Sequence, residues 1–377
     1  MTQTPFISHS HSHSHSPSHG ARTWTCAPPP AEVLDFHAGL PGYAPTSLTE
    51  LPALATELGV GRVFVKDESS RLGLPAFKAL GASWAIHRVL SQRTDSRPVR
   101  LVTATDGNHG RAVARMARLF GQSAHVFVPE GVHPTAVAAI ADEGADVTPV
   151  AGSYDDAVRQ AAEAAQDRPD AVLVQDTAWP GYEQIPGWIV EGYSTLFAEI
   201  DAQLGAAGAG SPGLVVVPAG VGSLAQAAVA HYRSRTAVRA PAALPAALMS
   251  VEPDTAACVL ASLGRREPVS VPTGTTAMAG LNCGTPSSLA WPFLRDGLDA
   301  AVAVTDADSA RAARDLAVAG VSSGPCGAAS LAGARAALTG EGAAGRRTAL
   351  AVGPASTVVL LSTEGSAANP HLQEARP

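Results

Sequence analysis

A lysine with apolar neighbours is the first feature of the sequence that could do chemistry. Lys78 follows Phe77 and precedes Ala79 and Leu80, where a predicted helix begins. An amine near a helix N-terminus among apolar groups is expected to lose basicity, so that its pKa falls and it can attack a carbonyl to form an imine. The alternative is a surface lysine whose aliphatic stem covers apolar neighbours.

A second turn contains polar residues suited to holding a carboxylate. Residues 105–110 read Thr-Asp-Gly-Asn-His-Gly and follow a predicted strand. The glycines let the backbone approach a ligand closely, and free N–H groups at a helix start attract anions. Asn108 and His109 would add side-chain hydrogen bonds, whereas Asp106 would repel an anion and is expected to serve another purpose. The alternative is an ordinary helix N-cap formed by Thr105 or Asp106.

The third turn is rich in glycine and has the pattern of a phosphate cradle. Residues 219–224 read Ala-Gly-Val-Gly-Ser-Leu and connect a predicted strand to a predicted helix. Backbone amides and the helix dipole bind phosphate at such turns. The turn lacks the Lys-Ser/Thr ending of a nucleotide P-loop and the third glycine of a dinucleotide fingerprint. A tight turn without a ligand remains the alternative.

Predicted strands and helices, which must position these turns, alternate along the chain. Short apolar runs, typical of strands covered on both faces, alternate with Ala-rich helical stretches, and this order predicts an α/β protein with a mostly parallel sheet. The predicted strands are Arg62–Lys66, Leu101–Ala104, Ala124–Val128, Ala171–Gln175, Leu214–Pro218, Leu248–Val251, Ala301–Thr305 and Thr357–Leu361. The predicted helices are Lys78–Leu90, His109–Phe120, Pro134–Glu143, Tyr154–Ala165, Trp188–Leu204, Ser223–Ser234, Asp308–Ala319 and Gly327–Leu338.

Together the three turns predict pyridoxal 5′-phosphate (PLP) as the cofactor. An imine-forming lysine, an asparagine loop for a carboxylate and a glycine loop for a phosphate are the groups that this cofactor and its substrate need. In α/β proteins ligands bind at the carboxyl ends of strands, near helix N-termini, and all three turns are predicted to lie there.

Further segments between about residue 40 and residue 365 occur in the order of one known family. They are GYAPTSL (42–48), VKDESSRLGLPAFKALGAS (65–83), TATDGNHGRAVA (103–114), VQDTAWPGYEQIP (174–186), PAGVGSLA (218–225), VEPD (251–254), MAGLNCGTPSSLAW (278–291) and LSTEG (361–365). With these segments the sequence resembles the fold-type II PLP enzymes, the group of tryptophan synthase β and threonine deaminase. The strings DGNHGR, VQDTAW-x-GY and AGL-x-CG-x-P resemble those of the diaminopropionate ammonia-lyase branch.

The resemblance implies a two-domain α/β enzyme in which each domain is a mostly parallel sheet flanked by helices. The large, PLP-binding domain would combine residues 23–92 with residues 195–377. The small domain, residues 93–194, would contain the asparagine loop. Residues 1–22 are rich in His and Ser, cannot bury apolar surface and are predicted to be a disordered tail.

The resemblance also implies a role for each matching position. Lys78 would form the imine with PLP, and Asp106 and Asp176 would be catalytic acids that remove the Cα proton, one for each substrate enantiomer. Both acids are expected in surroundings that raise their pKa values. The cofactor would be held by Phe77 beside the ring, Asn108 at the 3′-oxygen, Gly220, Val221, Gly222, Ser223 and Leu224 at the phosphate, and Ser362 at the pyridine nitrogen. The substrate carboxylate would be held by Thr105 and His109.

The function implied by this resemblance is PLP-dependent α,β-elimination of 2,3-diaminopropionate to pyruvate and ammonia. An acid at Asp106 suits a substrate with a second ammonium group, because opposite charges attract strongly in a desolvated pocket. One departure affects the predicted substrate preference: the family pattern Ser-Gly-Glu-Ser-Gly is Ser-Gly-Pro-Cys-Gly at residues 323–327. The alternatives are a serine- or threonine-type ammonia-lyase, a racemase acting on another β-substituted amino acid, and a non-catalytic protein that binds an amino acid or a metal.

The composition of the chain indicates which kinds of molecule the protein could bind. The 377 residues include 26 Lys and Arg against 33 Asp and Glu, so no basic surplus is available for a nucleic acid. The sequence contains no run of 18 apolar residues, so no membrane-spanning helix is predicted. The four cysteines are widely spaced, which argues against a structural zinc site and against a disulfide scaffold. Because free cysteines suit a reducing compartment, the predicted location is the cytoplasm. The expected partners are a small amino-acid substrate and, because dimers are common in this fold, a second copy of the chain.

The histidines of the tail are a separate feature. They are His9, His11, His13, His15 and His19, and they could chelate a transition metal. We interpret them as part of a solvated tail that binds metal only adventitiously, and we predict no metal site in the enzyme.

Overall fold

The computed structural model describes residues 5–8, 20–235 and 245–369. Two β-sheets flanked by helices form the described part of the chain, and all the predicted strands are present with bounds that differ by at most two residues. The predicted α/β fold class is therefore confirmed. No helix of the described part is long and apolar enough to cross a membrane.

The larger sheet has seven strands. They are β1 (Phe6–Ser8), β2 (Leu48–Glu50), β3 (Arg62–Asp67), β8 (Leu214–Pro218), β9 (Ala247–Pro253), β10 (Ala300–Val304) and β11 (Thr357–Ser362). Their order across the sheet is β1-β10-β9-β8-β11-β3-β2, and only the two edge strands β1 and β2 run antiparallel to their neighbours. The central strands are buried on both faces, which explains their continuous apolar sequences.

The smaller sheet has four parallel strands, all inside the predicted small domain. They are β4 (Arg100–Ala104), β5 (Ser123–Pro129), β6 (Asp146–Val150) and β7 (Ala171–Leu173), in the order β6-β5-β4-β7. The sequence prediction missed β6, because this edge strand contains Pro149 and is only partly buried. It also missed β1 and β2, which have three residues each.

The helices fill the faces of both sheets. They are α1 (Gly20–Thr23), α2 (Glu32–Ala38), α3 (Pro52–Leu58), α4 (Lys78–Ser91), α5 (Asn108–Leu119), α6 (Pro134–Ala141), α7 (Tyr154–Gln166), α8 (Gln184–Gly192), α9 (Ser194–Ala206), α10 (Ser223–Tyr232), α11 (Cys258–Arg265), α12 (Trp291–Gly297), α13 (Asp306–Val318), α14 (Pro325–Leu338) and α15 (Ala343–Leu350). The predicted helix Trp188–Leu204 is in fact the end of α8 followed by α9. The break follows Gly192, which lets α8 approach α4 so closely that a Cβ there would lie 2.5 Å from the Leu80 carbonyl oxygen.

The prediction that residues 1–22 form a disordered tail is wrong for two short segments. Phe6–Ser8 form β1, and α1 begins at Gly20. β1 forms the edge of the larger sheet and pairs with β10, so its residues have a partner that the sequence did not reveal. Arg22 in α1 donates from Nε to Asp299 Oδ1 at 2.8 Å and from Nη2 to the Leu350 carbonyl oxygen at 2.6 Å. The five tail histidines lie outside the described residues.

A buried ionic network connects β3 to α9. Lys66 Nζ lies 2.6 Å from Glu199 Oε2, Arg71 Nη1 lies 2.6 Å from Glu199 Oε1, and Arg71 Nη2 lies 2.7 Å from Glu68 Oε1. All four side chains are almost fully buried. Buried charges are tolerated only when they are paired and hydrogen-bonded, so each acid here is required by the cations around it.

We expect Glu199→Ala to destabilise the protein by about 3–5 kcal/mol, because Lys66 would lose its carboxylate partner inside the core. Urea unfolding of the purified protein measures the loss. Glu50→Ala is the matched control, since Glu50 pairs with Arg62 at 2.6 Å on the exposed edge of the same sheet. Solvent-exposed ion pairs contribute little to stability. Equal losses in the two variants would contradict the importance assigned to the buried network.

Candidate active site

The predicted catalytic residues converge at the carboxyl ends of strands from both sheets. Lys78 is the first residue of α4, which follows β3, whereas Asp176 lies after β7. The Lys78 Nζ atom donates a hydrogen bond to Asp176 Oδ2 at 2.6 Å. Asp106, in the turn after β4, is close enough to influence the pKa of Lys78. The structure therefore brings together three residues that are far apart in the sequence.

The predicted loss of basicity at Lys78 is wrong for the protein without a ligand. Burial by itself would lower the pKa of Lys78, but the charge and hydrogen bond of Asp176, together with the nearby Tyr193 and Asp106, outweigh burial and raise that pKa above its ordinary value. The prediction failed because it considered only the apolar neighbours in sequence. The lysine is therefore an ammonium group paired with a carboxylate, and its side chain keeps 21% of its surface exposed.

The two acids have different electrostatic environments. Burial, and then the nearby charge of Asp176, raise the pKa of Asp106 to about 6. Burial would also raise the pKa of Asp176, but the charges of His109 and Lys78 hold it well below its usual range. The expectation of a raised pKa is therefore confirmed for Asp106 and wrong for Asp176, since Lys78 compensates only the latter by direct contact.

Thr105 and His109 shape the turn that precedes α5. Thr105 Oγ1 accepts hydrogen bonds from the backbone N–H groups of Gly107 at 2.9 Å and Gly110 at 3.1 Å. The N-cap position itself is Gly107, so the alternative of an N-cap at Thr105 or Asp106 is wrong in position. His109 Nε2 donates to the Val174 carbonyl oxygen at 2.8 Å, which leaves its Nδ1 atom for other contacts. This Nδ1 atom lies 3.8 Å from Asp176 Oδ2 and has no hydrogen-bond partner in the described part of the chain.

The glycine-rich turn after β8 is built for close backbone approach. Gly222 has φ +97°, and a Cβ there would lie 2.5 Å from Leu294 Cδ1, so both conformation and space require glycine. No side chain caps the start of α10, which leaves its first N–H groups directed out of the helix end. Ser223 Oγ donates to the Asp176 carbonyl oxygen at 3.0 Å and so connects this turn to the acid loop.

The remaining predicted cofactor residues lie next to Lys78, at the start of α5 and at the end of β11. The Phe77 ring is buried, with its centroid 5.2 Å from Lys78 Nζ. Ser362 Oγ, at the end of β11, donates to Ser323 Oγ at 2.8 Å. Asn108 Nδ2 donates to Glu364 Oε2 at 2.6 Å. Ser362 is thus placed beside the Ser-Gly-Pro-Cys-Gly turn, where the sequence departs from the family pattern.

Sequence reasoning assigned no role to Tyr193 or Glu364. The Tyr193 side chain is fully buried, its ring lies 4.8 Å from that of Phe77, and its hydroxyl has no partner among the described residues. Lys78 Nζ lies 6.0 Å from the centre of this ring. No local signal distinguishes this tyrosine from any other aromatic residue between two helices.

Tyr182 holds the strand end that positions Asp176. Its hydroxyl accepts from the Gln175 backbone N–H at 2.8 Å and donates to the Leu173 carbonyl oxygen at 2.9 Å. Its ring stacks on that of Trp179, with centroids 4.5 Å apart. These contacts attach the loop after β7 to the end of the strand, next to Lys78.

These residues fit PLP. A reachable lysine suits an aldehyde, the uncapped start of α10 suits a phosphate, and the unpartnered Tyr193 hydroxyl and His109 Nδ1 are polar atoms available to a bound molecule. Within the described ranges, no group of three or more His, Cys, Asp or Glu side chains is placed to hold a metal ion.

Known proteins match this chain over most of its length. The model of the family described as pyridoxal-phosphate dependent enzyme matches residues 40–361. A diaminopropionate ammonia-lyase of Salmonella typhimurium is 38% identical over 306 residues, which cover 75% of this chain and 74% of that protein. The Escherichia coli K12 diaminopropionate ammonia-lyase is 39% identical over 277 residues, which cover 69% and 68%.

A solved structure agrees with these matches. The crystal structure of the Escherichia coli diaminopropionate ammonia-lyase, in complex with an aminoacrylate-PLP azomethine reaction intermediate, superimposes with a TM-score of 0.83 at 33% identity. The superposition covers 98% of this chain and 95% of that one. The chain belongs to the pyridoxal-phosphate dependent enzymes and, within them, to the family of the diaminopropionate ammonia-lyases.

Proposed function

We propose that this protein catalyses the PLP-dependent α,β-elimination of 2,3-diaminopropionate to pyruvate and ammonia. The proposal rests on one observation above all: the amine of Lys78 lies in one partly buried cluster with two carboxylates from different loops, those of Asp106 and Asp176. The names of the two matched relatives and the reaction intermediate in the matched crystal structure support the same reaction.

The residues around Lys78 would hold the cofactor. The backbone N–H groups of residues 220–224 and the positive end of α10 would bind its phosphate. Phe77, Asn108 and Ser362 would contact its ring. When bound, PLP supplies an electron sink for the negative charge left on the substrate Cα. Lys78 would hold the cofactor covalently through its amine, and the α-amine of the substrate would displace it, which leaves the lysine amine free beside Asp176.

Asp106 and Asp176 would accept the Cα proton from opposite sides of the substrate. An ionised carboxylate is required for this step, and two bases on two loops allow either enantiomer to react. Asp106 has a second use: burial raises the pKa of this carboxylate, and the β-ammonium group of diaminopropionate would add a cation beside it. Thr105 and His109 would hold the substrate carboxylate.

We also propose a cytoplasmic homodimer without a nucleic-acid partner. All four cysteines are free, as expected in a reducing compartment, and the formal net charge is −7. Within each chain we propose a large domain of residues 23–92 plus 195–377 and a small domain of residues 93–194. Size measurement in solution and limited proteolysis test these assignments.

We expect the purified protein with PLP to release a 2-oxo acid faster from D- and L-2,3-diaminopropionate than from L-serine or L-threonine. A neutral β-hydroxyl leaves Asp106 without its cation, so the hydroxy amino acids bind and react less well. Initial rates of 2-oxo acid release measure the difference. Preference for L-serine or L-threonine would instead support the hydroxy-amino-acid lyase alternative.

Asp106→Asn and Asp176→Asn are expected to affect opposite enantiomers. Each amide cannot accept the proton, so the rate with the enantiomer that depends on that acid should fall by about a hundredfold or more. The other enantiomer should lose much less, because Asp106→Asn removes from it only the contact with the β-ammonium group. Lys78→Ala is the matched control, because it should lose turnover of both enantiomers together with the visible absorbance of the bound cofactor. Equal loss for both enantiomers in each Asp variant would contradict the two-base assignment.

The two enantiomers should also differ in pH dependence. The ionised fraction of Asp106 falls as the pH drops through about 6, whereas Asp176, with its lowered pKa, stays ionised. For the enantiomer that needs Asp106 as its base, kcat/KM should therefore fall about tenfold per pH unit below this value, and the other enantiomer, which loses only the contact with the β-ammonium group, should show a shallower profile over the same range. Parallel profiles for the two enantiomers would count against this assignment.

A further inference from the structure

Glu364 is a buried acid beside the active site to which the reaction above assigns no role. It follows β11 by two residues, and only 2% of its surface is exposed. Its carboxylate lies between the start of α14 and the turn that begins α5. An acid buried to this degree needs hydrogen-bond donors on both of its oxygens.

The carboxylate of Glu364 has such donors. Oε2 accepts from Asn108 Nδ2 at 2.6 Å, and Oε1 accepts from the Cys326 backbone N–H at 3.2 Å and from Asn369 Nδ2 at 2.9 Å. Burial raises the pKa of Glu364, while the donors from Cys326, Asn108 and Asn369 oppose the rise. The positive end of α14 also favours the negative charge.

The contact with Asn108 fixes the orientation of an amide group. An ionised carboxylate only accepts hydrogen bonds, so the NH₂ end of the amide must face Glu364. One N–H of Asn108 is used in this contact, and the second N–H and the Oδ1 atom are left for a bound molecule. Without the carboxylate, either end of the amide could point at the cofactor.

Glu364 itself is held rigidly by the backbone around it. The Gly324 N–H donates to the Glu364 carbonyl oxygen at 2.9 Å, and the Phe77 N–H donates to the Thr363 carbonyl oxygen at 3.1 Å. The Gly365 N–H donates to the Pro75 carbonyl oxygen at 2.9 Å. The segment that contains Glu364 is therefore tied to the segment that precedes Lys78, whereas Asn108 belongs to a helix of the smaller sheet.

We propose that Glu364 is a positioning residue that fixes the amide of Asn108 for cofactor binding, by a hydrogen bond that connects the two sheets. This inference rests on the proposed contact between Asn108 and PLP. Glu364 acts through Asn108 and does not touch the cofactor. Removing its charge therefore has an effect only while Asn108 is present.

A double-mutant cycle on PLP binding tests this dependence. The dissociation constant of PLP is measured by titrating apoprotein and following the visible absorbance, for wild type, Asn108→Ala, Glu364→Gln and the double variant. We expect Asn108→Ala to weaken binding about tenfold and Glu364→Gln about fivefold, with the double variant no weaker than Asn108→Ala. The pH midpoint of the absorbance should shift in the same direction in both single variants, and no further in the double variant.

The possible failures separate the inference from the proposed function. If Asn108→Ala weakens binding but Glu364→Gln does not, or if the two effects multiply, the positioning role of Glu364 is overturned alone. If Asn108→Ala leaves the dissociation constant unchanged, the proposed cofactor contact of Asn108 falls and this inference falls with it. Neither result depends on turnover of any substrate.

Glu143→Gln is the matched control for the loss of a buried acid that binds α5. Glu143 pairs with three arginines of this helix, Arg111, Arg115 and Arg118, and does not contact Asn108. We expect its PLP dissociation constant and absorbance midpoint to match those of wild type. Changes as large as those of Glu364→Gln would overturn the inference, because they would make the effect a general consequence of loosening α5.

A swap of the two groups tests the contact without the cofactor. Asn108→Asp would place two carboxylates 2.6 Å apart in the present geometry and should lower the Tm of the apoprotein. Adding Glu364→Gln restores one amide and one carboxylate in exchanged positions, so the Tm should rise again. A second decrease of Tm in the double variant would overturn the proposed contact.

Discussion

The hydrogen-bonded pair of Lys78 and Asp176 is the contact on which the active site depends. The two side chains come from the ends of strands in different sheets, and their 2.6 Å contact removes both charges from water at the same place. Neither charge would be stable there alone, because an isolated ion in a low-dielectric site loses its hydration without compensation. The positions of the acid loop, the glycine-rich turn and α4 are consequently set with respect to one another around this pair.

The same pair makes the two acids chemically unequal. Asp176 has its positive partner within the protein, whereas the pKa of Asp106 is raised by burial and by Asp176 itself. Acid–base sites commonly separate two like groups in this way, so that one stays ionised and the other responds to its ligand. The proposed substrate has two ammonium groups, and Asp106 offers the second of them a carboxylate that is not already paired.

The sequence predicted those features that depend on residues close together in the chain. β8 has the predicted bounds, Leu214–Pro218, because a continuous run of Leu, Val and Pro between turns is typical of a central parallel strand. The position of Lys78 at a helix start could also be predicted. Its pKa could not, because the partner Asp176 lies 98 residues away. The contact between Glu364 and Asn108, 256 positions apart, leaves no trace in either local sequence.

The order of strands in the larger sheet has a consequence for how the chain reaches this structure. β11, formed by residues 357–362, lies at the centre of the sheet between β3 and β8. During synthesis residues up to 362 must therefore leave the ribosome before the sheet can close, and until then β3 and β8 keep unpaired backbone groups on the edges that face β11. Such non-local pairing folds slowly and exposes strand edges to other chains. A nascent chain is expected to expose these two edges until β11 is inserted between them.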